Sequence, residues 1–371
     1  MDRPSSHVKQ HLRAWSITLL VAGIAILYFF NAQAIGDGIR RGMDVCAGTL
    51  IPSLFPFMVL CTFLVHSRFI DYISAPFSRL TTRLLRLPSF TGAVFILSLV
   101  GGFPVGAKMI SELYKENRIT SHTASRMLCF CVNAGPAFLI TAVGSRMFGS
   151  TAAGLLLFCS QTAASIVIAL LSRTWMQEPP QHHTFQSSHK PLVPAFIASV
   201  NNAAQAMISV CAFVIVFSSI VSFVLSLEIT QLLENFLPSL PSGMIKTILY
   251  GTFEVTLGCS ESTAVSGVVS IYLACAICSF GGISVMGQAV SFFTGLSIKT
   301  LPYLITRPIH MLFSCTTLFL LIRLFPNMLT VFLPLNKGVI VRTFSVGPSA
   351  SAVLLLLCAA LVSSNKDHAF D

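Results

Sequence analysis

Seven stretches of 15 to 30 mostly apolar residues run through this chain, at about 15–34, 45–65, 124–147, 151–172, 196–225, 301–325 and 349–363. Roughly 20 residues of helix cross the hydrocarbon core of a bilayer, where only helices and closed barrels satisfy every backbone polar group. Segments of this length and spacing constrain the chain to an all-α polytopic membrane protein. Composition agrees, since 54% of the 371 residues are hydrophobic and 10% are charged, against about 25% charged in a soluble domain. Two further apolar stretches, 91–107 and 264–285, are broken near their ends by Gly pairs, and a shorter one covers 244–258. The expected total is about 8–10 membrane segments, two of them re-entrant or broken helices.

Hydrophilic breaks divide the sequence into an N-terminal tail and first transmembrane helix (1–40), a first repeat (41–172), a cytosolic linker (173–195), a second repeat (196–325) and a C-terminal loop with a last apolar segment (326–371). The linker is rich in Pro, His and Ser over 177–191, a solvated composition. Arg3, Lys9 and Arg13 precede the first apolar run, and Ala32-Gln33-Ala34 resembles a signal-peptidase site. The run is long for a cleaved signal, so an uncleaved first helix is expected.

The formal net charge is +10, but the basic residues lie in short loops. That pattern is the positive-inside bias of membrane proteins and gives no reason to expect a nucleic-acid partner. With the N-terminus in the cytosol and 91–107 dipping in and returning on the same side, 16 of the 23 Lys and Arg fall in the cytosol, six fall outside and Arg307 stays near the membrane. Of the 11 Cys, almost all sit in apolar segments, where they pack as small apolar residues. Cys275-x-x-Cys278 has redox or metal spacing but no His nearby, so neither a disulfide framework nor a metal is expected. No phosphate-binding loop, Ser-x-x-Lys or His-Glu-x-x-His occurs. No cofactor is expected, and the chain does not read as an enzyme.

The two Gly-broken segments resemble each other. Gly101-Gly102-Phe103-Pro104-Val105 lies on Gly281-Gly282-Ile283-Ser284-Val285 with a shift of 180 residues, which also sets Ser111 on Ser291 and Lys108 on Gln288. On the topology above the first copy is cytosolic and the second enters from outside. That is an inverted repeat, the plan of many secondary transporters. Pro104 lacks a donor and disfavours helical geometry at Phe103, so the freed backbone groups must line a wet cavity or be buried in protein. A helix starting near Val105 points its N–H groups and positive dipole end into that cavity. Lys108 in its first turn adds a full charge, and the site then favours an anion. The other reading is close helix packing through the Gly residues.

Polar residues inside apolar segments are costly and often functional. Glu254 lies in YGTFEVTLG, Arg307 and His310 in LPYLITRPIHMLF with Pro308 interrupting, Asn133 in CFCVNAGPAFLI beside Gly135-Pro136, and Gln288 follows the second Gly pair. Glu254 and Arg307 read either as a structural ion pair or as contacts for solute or a coupling ion. His310 reads as a helix contact or a proton carrier, and Asn133 as a hydrogen-bonding bridge or a solute contact.

Several of these motifs are shared with a known family. PSLFPFMVL (52–60), SLVGGFPVGAKMISELYKENRIT (98–120), CFCVNAGPAFLITAVG (129–144), EVTLG (254–258), SFGGISVMGQAVSF (279–292) and TRPIHMLF (306–313) resemble the sporulation integral membrane proteins of the YlbJ type, within the nucleoside-recognition (Gate) domain group. They span about 40–325 in order. The resemblance implies Gate-like repeats similar in plan to concentrative nucleoside transporters, whose paired re-entrant hairpins hold solute. It implies that Gly101 to Gly106, Asn133 to Pro136, Glu254, Thr256 and Gly281 to Ser284 surround that solute. It further implies a plasma or forespore membrane and passage of dipicolinate, with a nucleoside-like solute or a non-transporting scaffold as alternatives. Phe103 and Ala134 depart from the Tyr and Asn usual there. The partners expected are a small solute and the lipid bilayer, with a homo-oligomer left open.

Overall fold

The computed structural model describes residues 15–325 apart from 17, 20, 21, 24, 68, 176–190, 228, 239 and 242. The expected last apolar segment at 349–363 and most of the linker lie outside the described residues. Among the described residues every regular element is helical. Helix α1 (Ala32–Val45) passes through a π turn (Cys46–Leu50) into α2 (Ile51–His66). Then come α3 (Thr91–Gly101), α4 (Phe103–Lys115), α5 (Ser121–Cys131), a π-helical stretch (Ala137–Met147), α6 (Thr151–Trp175) and α7 (Leu192–Ser226). The last five are α8 (Met244–Phe253), α9 (Val255–Ser262), α10 (Val269–Phe280), α11 (Gly282–Ser291) and α12 (Leu301–Leu324). Four helical runs, 151–174, 192–226, 269–291 and 301–324, are long and apolar enough to cross a bilayer, or five if α2 and its bent continuation count as one. Only 33% of the most apolar window of α7 is buried within the protein. Its outward face carries Phe196, Ile208 and Val216, a surface that lipid covers at no cost.

Helices α3 and α4 form a tight antiparallel hairpin, with Gly106 packed against Ser98 across the tip. The reversal occurs at Gly102, whose φ of 86° and ψ of −176° are essentially closed to a residue with a side chain. Pro104 falls in the first turn of α4, where its missing donor and fixed φ are harmless. The break is therefore at Gly102, not at Phe103. Helices α8 and α9 form a second hairpin. A Cβ on Gly258 would run into the Gly251 backbone, and one on Gly251 would run into the Ile277 side chain.

The expected register between the two Gly pairs is corrected here. Gly281-Gly282 does not turn a hairpin, because α10 and α11 continue one another as a single 23-residue run. The partner of the first hairpin is α8–α9, which the sequence presents only as a short apolar stretch around Glu254. The partner of the α10–α11 break is the non-helical stretch 132–135 between α5 and the π-helical segment. Each half thus contains a hairpin, a broken run and a long helix, over 91–175 and again over 244–324.

Contacts along the helices give their directions. Arg126 meets Ser172, Asn133 meets Ser165 and Ile140 meets Gly154, so α5 and the π stretch run antiparallel to the whole of α6. Helix α7 passes back up beside α2 and α1, with His66 near Asn202 and Cys46 near Cys211. Three long runs therefore separate the hairpins, and the second enters from the opposite end. The α10–α11 run returns to the base of the first hairpin, where Ser111 donates to Phe292 O and Ser121 to Ser297 O. Lys299, bonded through its N–H to Ser125, lies with Arg118, Arg126 and Arg173 at one end, whereas Arg323, expected from charge on the same cytosolic side as these, lies at the other. Helix α12 also runs unbroken through Pro308, contrary to the expected interruption.

Candidate functional site

A cavity of about 370 Å³ lies where the two hairpin tips meet. The first tip contributes Gly101, Gly102, Phe103 and Pro104, and the second contributes Glu254, Val255 and Thr256. Gly135, Phe138, Thr141 and Arg146 come from the first broken run, Val285 and Gln288 from the second, and α7 adds Val210 and Val214. The turn from α1 into α2 closes the wall with residues between Gly48 and Phe57. This volume falls within the roughly 300–1,000 Å³ of small-molecule sites, and an apolar lining with a few polar groups is their usual make-up.

Each tip docks on a discontinuity in its own half. Gly102 lies against the Gly135 backbone, and Gly282 packs against the carbonyls of Gly251 and Phe253. Glu254 is extended, with φ −142° and ψ 125°, and is the N-cap of α9. Its Oε2 accepts from Leu257 N at 2.7 Å. A carboxylate at that position offsets the positive end of the short helix, and the residue is 5% exposed. No ion pair joins it to Arg307, so of the two readings of that pair the structural salt bridge is the one without support.

The expected site residues divide into two groups. Gly101, Gly102, Phe103, Pro104, Gly135, Glu254, Thr256 and Gln288 line the cavity. Gly106, Lys108, Asn133, Gly281, Gly282 and Ser284 lie behind it. Gly106 is pressed against Cys131 O, and Ser284 Oγ accepts from Gln288 Nε2 at 3.2 Å. Lys108 is not a bare charge on the cavity, because its Nζ is 2.9 Å from Glu112 Oε1 one turn along α4. It belongs to a buried charged cluster at the base of the first hairpin. There His66 lies between Glu112 (3.6 Å) and Glu116, Lys115 reaches Glu112 at 3.4 Å, and Asn202 of α7 donates to Glu112 at 3.5 Å.

Arg307 and His310 act on the first discontinuity from the other half of the chain. The Arg307 guanidinium is fully buried and donates to Val132 O at 2.8 Å and Cys129 O at 3.0 Å. These carbonyls are left over where α5 stops, and the negative end of a helix suits a cation. His310 Nε2 lies 3.0 Å from Ser165 Oγ, which donates to Asn133 Oδ1 at 2.7 Å. Asn133 Nδ2 in turn donates to Phe130 O at 2.7 Å. The structure thus gives Asn133, Arg307 and His310 a shared task of holding 132–135 in shape, one layer behind the cavity wall.

Sequence reasoning missed Arg146 and the wall from the π turn and α2. Arg146 is exposed and lines the cavity at its rim. An Arg closing an apolar segment reads as an interfacial anchor, and nothing in its spacing aims it inward.

One curated relative is the sporulation integral membrane protein YlbJ of Bacillus subtilis (strain 168), 26% identical over 339 residues that cover 82% of each chain. No family model and no solved structure matches.

Proposed function

Starting from this chain's place among relatives of the YlbJ-type sporulation integral membrane proteins, we propose that it is a transporter or facilitator for a small anionic solute, with a membrane role in spore formation. The observation that carries the proposal is the cavity where two hairpin tips, entering from opposite ends, meet between broken helices. Loose backbone at membrane depth is tolerated when it is packed in protein or lines a polar cavity, and transporters place their solute sites there. The anionic preference rests on Arg146 at the rim and on the N-terminus of α4 behind Gly102. The first candidate solute is dipicolinate, by the family resemblance.

Glu254 on the same wall favours a second reading, an uncharged solute rich in hydrogen-bonding groups such as a nucleoside. A carboxylate accepts from sugar hydroxyls but repels a second carboxylate. A non-transporting scaffold is the third reading.

Uptake of labelled dipicolinate and labelled nucleosides into vesicles holding the purified protein separates the three. Dipicolinate uptake that is lost in Arg146→Ala, with the protein still inserted and folded, supports the anion carrier. Nucleoside uptake alone supports the second reading, and uptake of neither in wild type leaves the scaffold. Lys108→Ala is expected to act indirectly, by leaving Glu112 short of a partner.

A further inference from the structure

Among the described residues the cavity wall carries one carboxyl group, that of Glu254 at the second hairpin tip. Leu257 N–H donates to its Oε2 at 2.7 Å. Oε1 is not sealed in protein, and it opens into the cavity that the residue lines. The same cavity is lined by Val210, Val214, Val255 and Val285. No cation pairs with Glu254 among the described residues, and Arg146 is exposed at the rim.

A charge buried without a counter-ion is costly, and an ionised Glu254 also repels a solute carboxylate. One proton on Oε1 removes both penalties. It turns Oε1 from an acceptor into a donor, open to the space that the solute carboxylate enters. The helix cap survives the change, because Oε2 of a protonated carboxyl still accepts from Leu257 N–H. Nor does the proton need a channel of its own. The cavity reaches the exterior beside Arg146, so proton and solute share one opening and one rearrangement carries both.

Few groups around Glu254 titrate. The elements packed on α9 are α8, α10, α11 and the π stretch. The π stretch brings Arg146, which stays charged. Helix α10 brings the Cys278 thiol, 3.2 Å from Cys259 of α9, and the π turn brings the Cys46 thiol. Helix α8 carries Tyr250 and Lys246, the latter 2.9 Å from Glu261 at the base of the hairpin. Helix α11 brings Gln288, which does not titrate.

We propose that Glu254 Oε1 binds a proton together with the anion, so that the cavity takes up a small dicarboxylate and one proton as a unit. On binding, a hydronium O–H bond breaks and an Oε1–H bond forms; release on the far side reverses the step, with no change of electron count. Proton and anion raise each other's affinity by the same factor, as linkage requires. Solute therefore binds more tightly at acid pH and more weakly once Glu254 ionises. This inference rests on the anion-carrier reading.

The test titrates the full chain in detergent with dipicolinate by calorimetry, at a series of pH values and in pairs of buffers of different ionisation enthalpy. The heats count the protons taken up with each solute. Wild type takes up close to one wherever Glu254 is ionised beforehand, and its affinity falls about tenfold per pH unit there. Glu254→Gln is uncharged at every pH; it takes up none, and its affinity does not change with pH. In vesicles with the membrane potential clamped at zero, wild type accumulates dipicolinate about tenfold per pH unit of inward gradient, and Glu254→Gln does not exceed the equilibrium ratio. Should that variant fail to insert, wild type is treated with dicyclohexylcarbodiimide, which modifies protonated carboxyl groups in apolar sites. Mass spectrometry then finds the label on Glu254, increasingly as pH falls. Proton uptake absent from wild type or retained in Glu254→Gln, no binding by an inserted Glu254→Gln, or no pH-dependent label on Glu254 overturns the proton site and leaves the anion carrier standing. Wild type that binds no dipicolinate overturns both.

Discussion

The two hairpins share a plan but are held by opposite means. The first has an uncharged tip, from Gly101 to Pro104, and a base fixed by buried charge: His66, Lys108, Glu112 and Glu116, with Arg118 3.2 Å from Asp71. Its partner discontinuity is braced from outside its own half by Arg307. The second hairpin reverses this. Its charge is at the tip, where Glu254 caps α9, and its base carries the partly exposed pair Lys246–Glu261 at 2.9 Å. A buried charge network resists rearrangement because parting it leaves desolvated charges, whereas an exposed pair adds about 0–1 kcal/mol. The first hairpin is therefore expected to be the more firmly held wall of the cavity, and the second the more easily displaced.

The largest effect is expected from Arg307→Leu, which leaves Cys129 O and Val132 O buried without donors. The loss is about 1–3 kcal/mol for each orphaned carbonyl, read by thermal unfolding in detergent, with Arg307→Lys recovering part of it. A loss no larger than that of a surface variant would remove the brace from the comparison. Next comes Gly102→Ala, about 1–3 kcal/mol because of its positive φ, with solute uptake reduced in the same protein. Glu112→Gln should speed amide hydrogen exchange across Phe103–Lys115 and leave Met244–Ser262 unchanged. Equal acceleration in both hairpins would show that the base cluster does not anchor the first one selectively. The smallest change belongs to Lys246→Ala, within about 1 kcal/mol. A larger loss would mean that the second hairpin is as firmly held as the first.

Much of this was written in the chain. Long apolar runs gave the polytopic all-helical class, and Gly101-Gly102 and Asn133-Ala134-Gly135-Pro136 marked real interruptions. Glu254 stood out as a charge among apolar neighbours and is found on the cavity wall. The Lys108–Glu112 pair was missed, although a spacing of four places both on one helix face, and Lys108 was expected instead as a charge at the cavity. Local rules of this kind act over a turn or two, so the sequence alone carries them.

Whether an interrupted apolar stretch doubles back or continues is a different matter. The α8–α9 hairpin and the α10–α11 run have similar composition; the first folds back where Gly251 and Gly258 let two backbones touch, and the second goes on, with α11 packing on α4, α7 and α8. Arg307 finds its carbonyls some 175 positions away, and His310 reaches Ser165 across 145. In a bilayer a buried polar group takes whichever partner the packing brings near, since solvent is not there to compete. Sequence therefore determined where the long apolar helices lie and marked the breaks at Gly102 and 132–135, while packing carried α12 through Pro308 and decided which polar groups satisfy one another and which remain facing the cavity.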